Sequence, residues 1–151
     1  MIDVLGNKNE KPCQFYLLVS NYKKNGSLLD FIMKSLKKDR PISILVKLYL
    51  CKCLYIACKN LWKKDGICHN DLKPDNILFN DDLTLMLCDF GHSSGFTELL
   101  DDNFGTVNYR APEINERTEK FYAPDAEIFS FASVIFVIFF GRYPFDEMAW
   151  S

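Results

Sequence analysis

The chain has 151 residues, of which 48 % are hydrophobic and 25 % charged, and its net charge is −2. That is one domain's worth of chain, with the balance of a soluble globular domain rather than a disordered segment. A charge so near zero gives no electrostatic case for nucleic acid or for a membrane surface.

The six cysteines, Cys13, Cys51, Cys53, Cys58, Cys68 and Cys88, form no Cys-x-x-Cys pair, and the only histidines are His69 and His92. A zinc site is therefore not expected, and buried free thiols in a reducing compartment are. No basic-then-apolar signal sequence opens the chain, so an intracellular, soluble, cytoplasmic protein is the expectation.

In chain order, Phe15–Val19 has the apolar run and aromatic content of a strand. The polar stretch Ser20–Ser27 follows, with Asn25-Gly26 as a break. Ser27 caps a helix over Leu28–Leu36, where Leu28, Leu29, Ile32, Met33 and Leu36 recur at helical spacing. Pro41 and Ser43 open a longer helix that Asp65-Gly66 ends. On it Ile44, Leu48, Cys51, Tyr55, Cys58 and Trp62 share one face, and Leu50, Leu54, Ala57 and Leu61 make a second. A helix apolar over so much of its girth reads as a central core helix, with Lys52, Lys59 and Lys63 as a solvated stripe. Ile77–Phe79 and Leu85–Cys88 read as short strands joined by the turn-like Asn80-Asp81-Asp82. Residues 92–104 read as a polar loop. Ala126–Phe140 is almost wholly apolar and is stopped by Gly141 and Pro144. Its longest apolar run, Ile128–Phe140, is too short to cross a bilayer and fits a buried core helix.

One stretch concentrates the chemistry: His69-Asn70-Asp71-Leu72-Lys73-Pro74-Asp75-Asn76. Asp71 offers a carboxylate acceptor for a hydroxyl, and Lys73 places a positive charge beside it. Asn76 and Asp89 are hard oxygen donors of the kind magnesium prefers, and the two strands between them would bring them together. Pro74 stiffens the loop by fixing φ. Asp89-Phe90-Gly91 and then Gly105-Thr106 and Ala111-Pro112-Glu113 complete an ordered set.

That order and spacing resemble the signature set of protein kinases of the Ser/Thr type, over nearly the whole chain. The resemblance implies an α+β fold, mainly the helical large lobe with a remnant of the small-lobe sheet. Residues 1–19 would be that strand remnant, 20–27 the interlobe hinge and 28–151 a partial large lobe. It implies ATP- and Mg-dependent transfer of the γ-phosphoryl group to Ser/Thr hydroxyls of a protein substrate. Asp71 would be the catalytic base, supported by Lys73 and Thr106, with Asn76 and Asp89 on magnesium. The backbone of Asn21, Tyr22 and Lys23 would face the adenine edge, with Ser27 and Leu78 completing the nucleotide site. Residues 92–104 match an activation segment. No nucleic acid or membrane partner is implied.

The sequence also departs from the family. It has no Gly-x-Gly-x-x-Gly loop, no strand lysine and no helix glutamate to pair with one. A partner chain covering the incomplete lobes is therefore one expectation. An inactive truncated kinase acting as a protein-binding module, or a partial gene product, is the alternative to the enzyme. Asn70 replaces the usual arginine before the catalytic aspartate, which argues against activation through a phosphate on the segment. Glu127 stands where the family's anchor helix has aspartate, so a catalytic loop held less well is expected. Ser27 and Val137 occupy positions that are often acidic in kinases of basic substrates.

Overall fold

The computed structural model of the chain describes residues 20–100, 104–116 and 120–145. The strand expected at Phe15–Val19 lies outside them. Helix α1 spans Leu28–Lys37 and is started by a capping box. Ser27 Oγ accepts the Asp30 N–H at 3.1 Å, and the Asp30 carboxylate accepts the Ser27 N–H at 3.0 Å. Helix α2 spans Ile44–Asn60 with Ser43 as its N-cap, widens into a π turn at Leu61–Asp65, and stops at Gly66 with φ 66°. That left-handed value is the reason glycine ends the helix.

The two expected faces of α2 are not equally buried. Leu50, Cys53, Leu54, Cys58 and Leu61 form the buried stripe, whereas Ile44, Leu48 and Tyr55 are exposed. The helix is apolar nearly all round, so periodicity could not choose its inner face. The neighbours chose it: the strand Leu85–Leu87 and the helix Ala123–Phe140 both pack on that side.

The described strands are short and pair in antiparallel couples. β1 (Ile67–Cys68) pairs β4 (Ser94–Gly95), β2 (Ile77–Phe79) pairs β3 (Leu85–Leu87), and β5 (Leu99–Leu100) pairs β6 (Phe121–Tyr122). In the β2–β3 hairpin Ile77, Phe79, Leu85 and Leu87 turn to one side and are buried, as the two-residue period requires. Its turn is closed by Asn80 N–H to Thr84 O at 2.9 Å, with Asp82 Oδ1 accepting the Thr84 N–H at 3.0 Å. The polar loop expected at 92–104 therefore contains β4 and β5. Their partners lie far off in sequence, so no local pattern announces them.

A short helix, α3 (Pro112–Glu116), precedes α4 (Ala123–Phe140). α4 begins three residues before the expected Ala126. At 18 residues and mean hydropathy 1.7 it meets the length and composition of a membrane span, unlike the shorter run read from the sequence. Its buried face nevertheless carries Glu127, Ser130 and Ser133 and packs against α2. Leu28 and Ile32 of α1, the α2 stripe, the hairpin's inner face and Val134, Val137 and Ile138 of α4 form one core. Val137 is thus a core residue and presents no surface to a substrate. Phe104, Ala111, Ile114 and Ala126 form a second, smaller cluster under the segment before α4. The α+β class expected from the sequence is the one observed.

Candidate active site

The stretch from His69 to Asn76 is a buried loop between β1 and β2, fixed at both ends. Glu127 of α4 is 1 % exposed, and its carboxylate accepts the backbone N–H of His69 at 2.8 Å and of Asn70 at 2.7 Å. It also takes the Trp62 indole N–H at 3.1 Å. The expectation of a loosely held loop is therefore corrected: the extra methylene of glutamate reaches both amides and adds the indole. His69 is fully buried, with Nε2 2.8 Å from Cys88 O and its ring 4.9 Å from that of Phe90. It packs the two halves of the site together and faces no solvent.

Within this frame Asp71 is buried and its carboxylate is the hub of a network. Lys73 Nζ lies 2.8 Å from Oδ2, Asn76 Nδ2 donates to the same oxygen at 3.0 Å, and Thr106 Oγ1 donates to Oδ1 at 2.8 Å. Lys73 also donates to Thr106 Oγ1 at 2.8 Å, and Asn76 to Asp71 O at 2.9 Å. Burial pushes the Asp71 carboxyl up, but Lys73, Thr106 and Asn76 together outweigh it and hold the group below the usual carboxylate range. The structure thus gathers Asp71, Lys73 and Asn76 of one loop with Thr106 from more than thirty residues further along the chain.

Asp89 follows the β2–β3 ladder, whose last bond runs from Cys88 N–H to Asn76 O at 3.0 Å. Asp89 has φ 63°, a left-handed backbone that turns the chain sharply out of the strand. Donation of the Asn76 amide nitrogen to Asp71 leaves its amide oxygen as the atom a cation would use. One amide oxygen and one carboxylate match magnesium's habit of taking few protein ligands and completing its shell with phosphate and water. The donor set fits that ion.

The nucleotide set is more dispersed. Ser27 and Leu78 are joined by a β-bridge, and Phe79 N–H donates to Gly26 O at 3.1 Å. Lys23 turns back through the Gly26 N–H to Lys23 O bond at 3.1 Å, and its ammonium reaches Asn80 Oδ1 at 3.1 Å. The segment is thus tied to the hairpin turn, while Asn21 is exposed and Tyr22 is 90 % exposed.

Three supports were not read from the sequence. Gly105 has φ 78°, and a Cβ there would sit 2.8 Å from Asn70 O. Its place directly before Thr106 was the only hint. Ser130 Oγ donates to Tyr109 O at 2.7 Å, and the Asn70 side chain donates to His92 O and Ser94 Oγ. These are contacts across the fold, with no local signature.

Residues 3–150 match the protein kinase domain. The chain belongs to the protein kinase family. It is 30 % identical over 152 residues to the serine/threonine-protein kinase chk-1 of Caenorhabditis elegans, covering 97 % of this chain and 29 % of that one. It is 30 % identical over 142 residues to the SNF1-related protein kinase catalytic subunit alpha KIN12 of Arabidopsis thaliana, covering 91 % of this chain and 27 % of that one. Over a shorter stretch of 87 residues it is 42 % identical to the serine/threonine-protein kinase chk-2 of C. elegans, covering 54 % of this chain and 18 % of that one. The chain therefore spans less than a third of the length of these relatives. The kinase's α+β architecture is the kinase-like fold that the motifs imply.

Among the described residues Cys51, Cys53, Cys58, Cys68 and Cys88 are free thiols. Burial, with the Glu127 carboxylate adding to it, pushes the Cys68 thiol up to about 12 and raises Cys58 as well. Neither is a reactive thiolate, which fits packing rather than chemistry.

Proposed function

We propose that this kinase transfers the γ-phosphoryl group of ATP to Ser/Thr hydroxyls of protein substrates. The observation that carries the reading is the Asp71 network. A carboxylate has four acceptor directions, and Thr106, Lys73 and Asn76 use three. One remains for a substrate hydroxyl. With its pKa lowered, Asp71 is ionised at neutral pH and orients that hydroxyl, then takes its proton as the bond to phosphorus forms. The Lys73 ammonium, held by both Asp71 and Thr106, is placed to offset charge on the transferring group. Asn76 and Asp89 would hold magnesium, which, when bound, neutralises phosphate charge. Residues 20–27 would serve as the hinge, with Asn21, Tyr22 and Lys23 at the adenine edge and Ser27 and Leu78 beneath the nucleotide. The free buried thiols support an intracellular setting.

A second reading is a non-catalytic module that docks a protein partner. It is favoured by the outer face of α2, where Leu45 is 76 % exposed beside Leu48, Tyr49, Tyr55 and Ile56. The test is a radiolabel transfer assay with protein substrates, beside calorimetric titration with ATP and magnesium. The enzyme reading expects Asp71→Asn to lower the rate by about 10²–10⁴-fold, and Asp89→Ala to abolish magnesium-dependent ATP binding. A folded chain that neither binds ATP nor transfers phosphate leaves the docking module as the reading.

A further inference from the structure

Asn70 is where three parts of the fold meet. Its own N–H is held by Glu127 of α4 at 2.7 Å, and its carbonyl lies against Gly105 of the loop that carries Thr106. Its backbone is left-handed at φ 63°, which asparagine tolerates better than most residues. The side-chain amide nitrogen donates to His92 O at 2.8 Å and to Ser94 Oγ at 2.7 Å, so both of its hydrogens are used. Its Oδ1 is buried without a hydrogen-bond partner among the described residues. Reversing the amide would set that oxygen against the His92 carbonyl oxygen, so the two donor bonds fix the orientation. The residue is 6 % exposed.

The segment it grips is otherwise lightly held. β4 is two residues long, paired with β1 and followed by a Phe96 N–H to Gly66 O bond at 2.8 Å. Such a pairing is weak by itself.

We infer that Asn70 is a positioning residue that clips the segment after Asp89 to the loop bearing Asp71 through neutral hydrogen bonds from its side-chain amide to His92 O and Ser94 Oγ. The amide makes permanently, and without charge, a link between catalytic loop and segment. Because no ion pair is involved, the clip is insensitive to salt.

The test is hydrogen–deuterium exchange on the full chain and three variants. Asn70→Gly keeps the left-handed backbone and deletes the amide. Asn70→Asp keeps the size and turns a carboxylate toward the His92 carbonyl. Ser94→Ala removes one acceptor at the outer end of the contact. Two neutral bonds lost predict exchange at residues 93–98 about ten- to thirtyfold faster in Asn70→Gly, and one bond lost about fivefold faster in Ser94→Ala. The increase is at least that in Asn70→Asp, whose carboxylate can still accept the Ser94 hydroxyl but opposes the His92 carbonyl. Exchange in α1 stays unchanged, and the effect is the same at low and high salt.

A kinetic arm rests on the phosphotransfer reading: kcat falls in the Asn70 variants while the KM for ATP holds. Unchanged exchange at 93–98 in all variants that fold overturns the inference. So does a wild-type segment that becomes protected only after phosphorylation of Ser93 or Ser94. If the wild-type chain transfers no phosphate, the proposed function fails, and the exchange result still decides the clip.

Discussion

Replacing Glu127 with glutamine isolates the buried carboxylate as the anchor of the His69–Asn76 loop, because the shape is kept and only charge and one acceptor are lost. The glutamine oxygen will occupy the place of Oε1, which serves both the His69 N–H at 2.8 Å and the Trp62 indole at 3.1 Å. The glutamine NH₂ must then face the Asn70 N–H from the place of Oε2, which accepts it at 2.7 Å in the wild type. One charge-assisted bond becomes a contact between two donors. Losing such a bond costs about 1.5–3 kcal/mol, and leaving a buried N–H unpaired costs a further ~1–3 kcal/mol. The sum, about 2.5–6 kcal/mol, is a large share of the ~5–15 kcal/mol that holds a domain together. For a chain of this size each 1 kcal/mol lowers Tm by about 2–4 °C, so a fall of about 10 °C is expected. Thermal unfolding followed by circular dichroism gives the shift, and amide exchange at His69 and Asn70 shows where the structure loosens. A Glu127→Gln variant that melts within about 2 °C of wild type, with the Asn70 amide still protected, would refute the reasoning.

Acid will weaken the fold partly through Asp71. Its folded-state pKa is lowered, so its contribution is present above the unfolded carboxylate value of about 4 and is lost as pH falls through the lowered folded value. In urea titrations the stability gap between wild type and Asp71→Asn should narrow below about pH 4; a gap that widens there contradicts the assignment. Gly105→Ala places a Cβ 2.8 Å from Asn70 O at a φ of 78°, and should cost about 2 kcal/mol or more in equilibrium unfolding. A neutral substitution would mean that the 105–106 loop does not sit against the His69–Asn76 loop. Alkylation of the native chain near pH 8, read by mass spectrometry, should leave Cys58 and Cys68 unmodified, since both are buried and their thiols are raised. Rapid labelling of either would show that α2 and β1 are not packed as described.

The parts of the fold legible in the sequence are those whose causes are local. The capping box at Ser27 and Asp30, the hairpin around Asn80–Thr84 and the glycine stop at Gly66 each rest on a few neighbouring residues. Strands β4 and β5 were not legible, since each exists only through a distant partner, as in Ile67↔Gly95, 28 residues apart, and Leu99↔Tyr122, 23 residues apart. The inner face of α2 was hidden for another reason: a helix apolar on most sides offers two answers, and only the neighbours choose. Val137 shows the same limit at a single position: matched by family resemblance to a position that is often acidic, it is found in the core.

By itself, then, the sequence determined the chemistry on offer. Asp71, Lys73, Asn76, Asp89 and Thr106 are residues of the right type in the right order, and the loop and hairpin that carry four of them form from short-range rules. The tertiary structure decided how that chemistry is held. Thr106 reaches Asp71 across 35 positions, Glu127 reaches Asn70 across 57, and Asn70 reaches Ser94 across 24. Hydrogen bonds of that span depend on where α4 and the segment after Asp89 come to rest, and burial of the core residues beneath them fixes that. Residue identity sets which bonds are possible; packing alone brings donor and acceptor within 3 Å of each other.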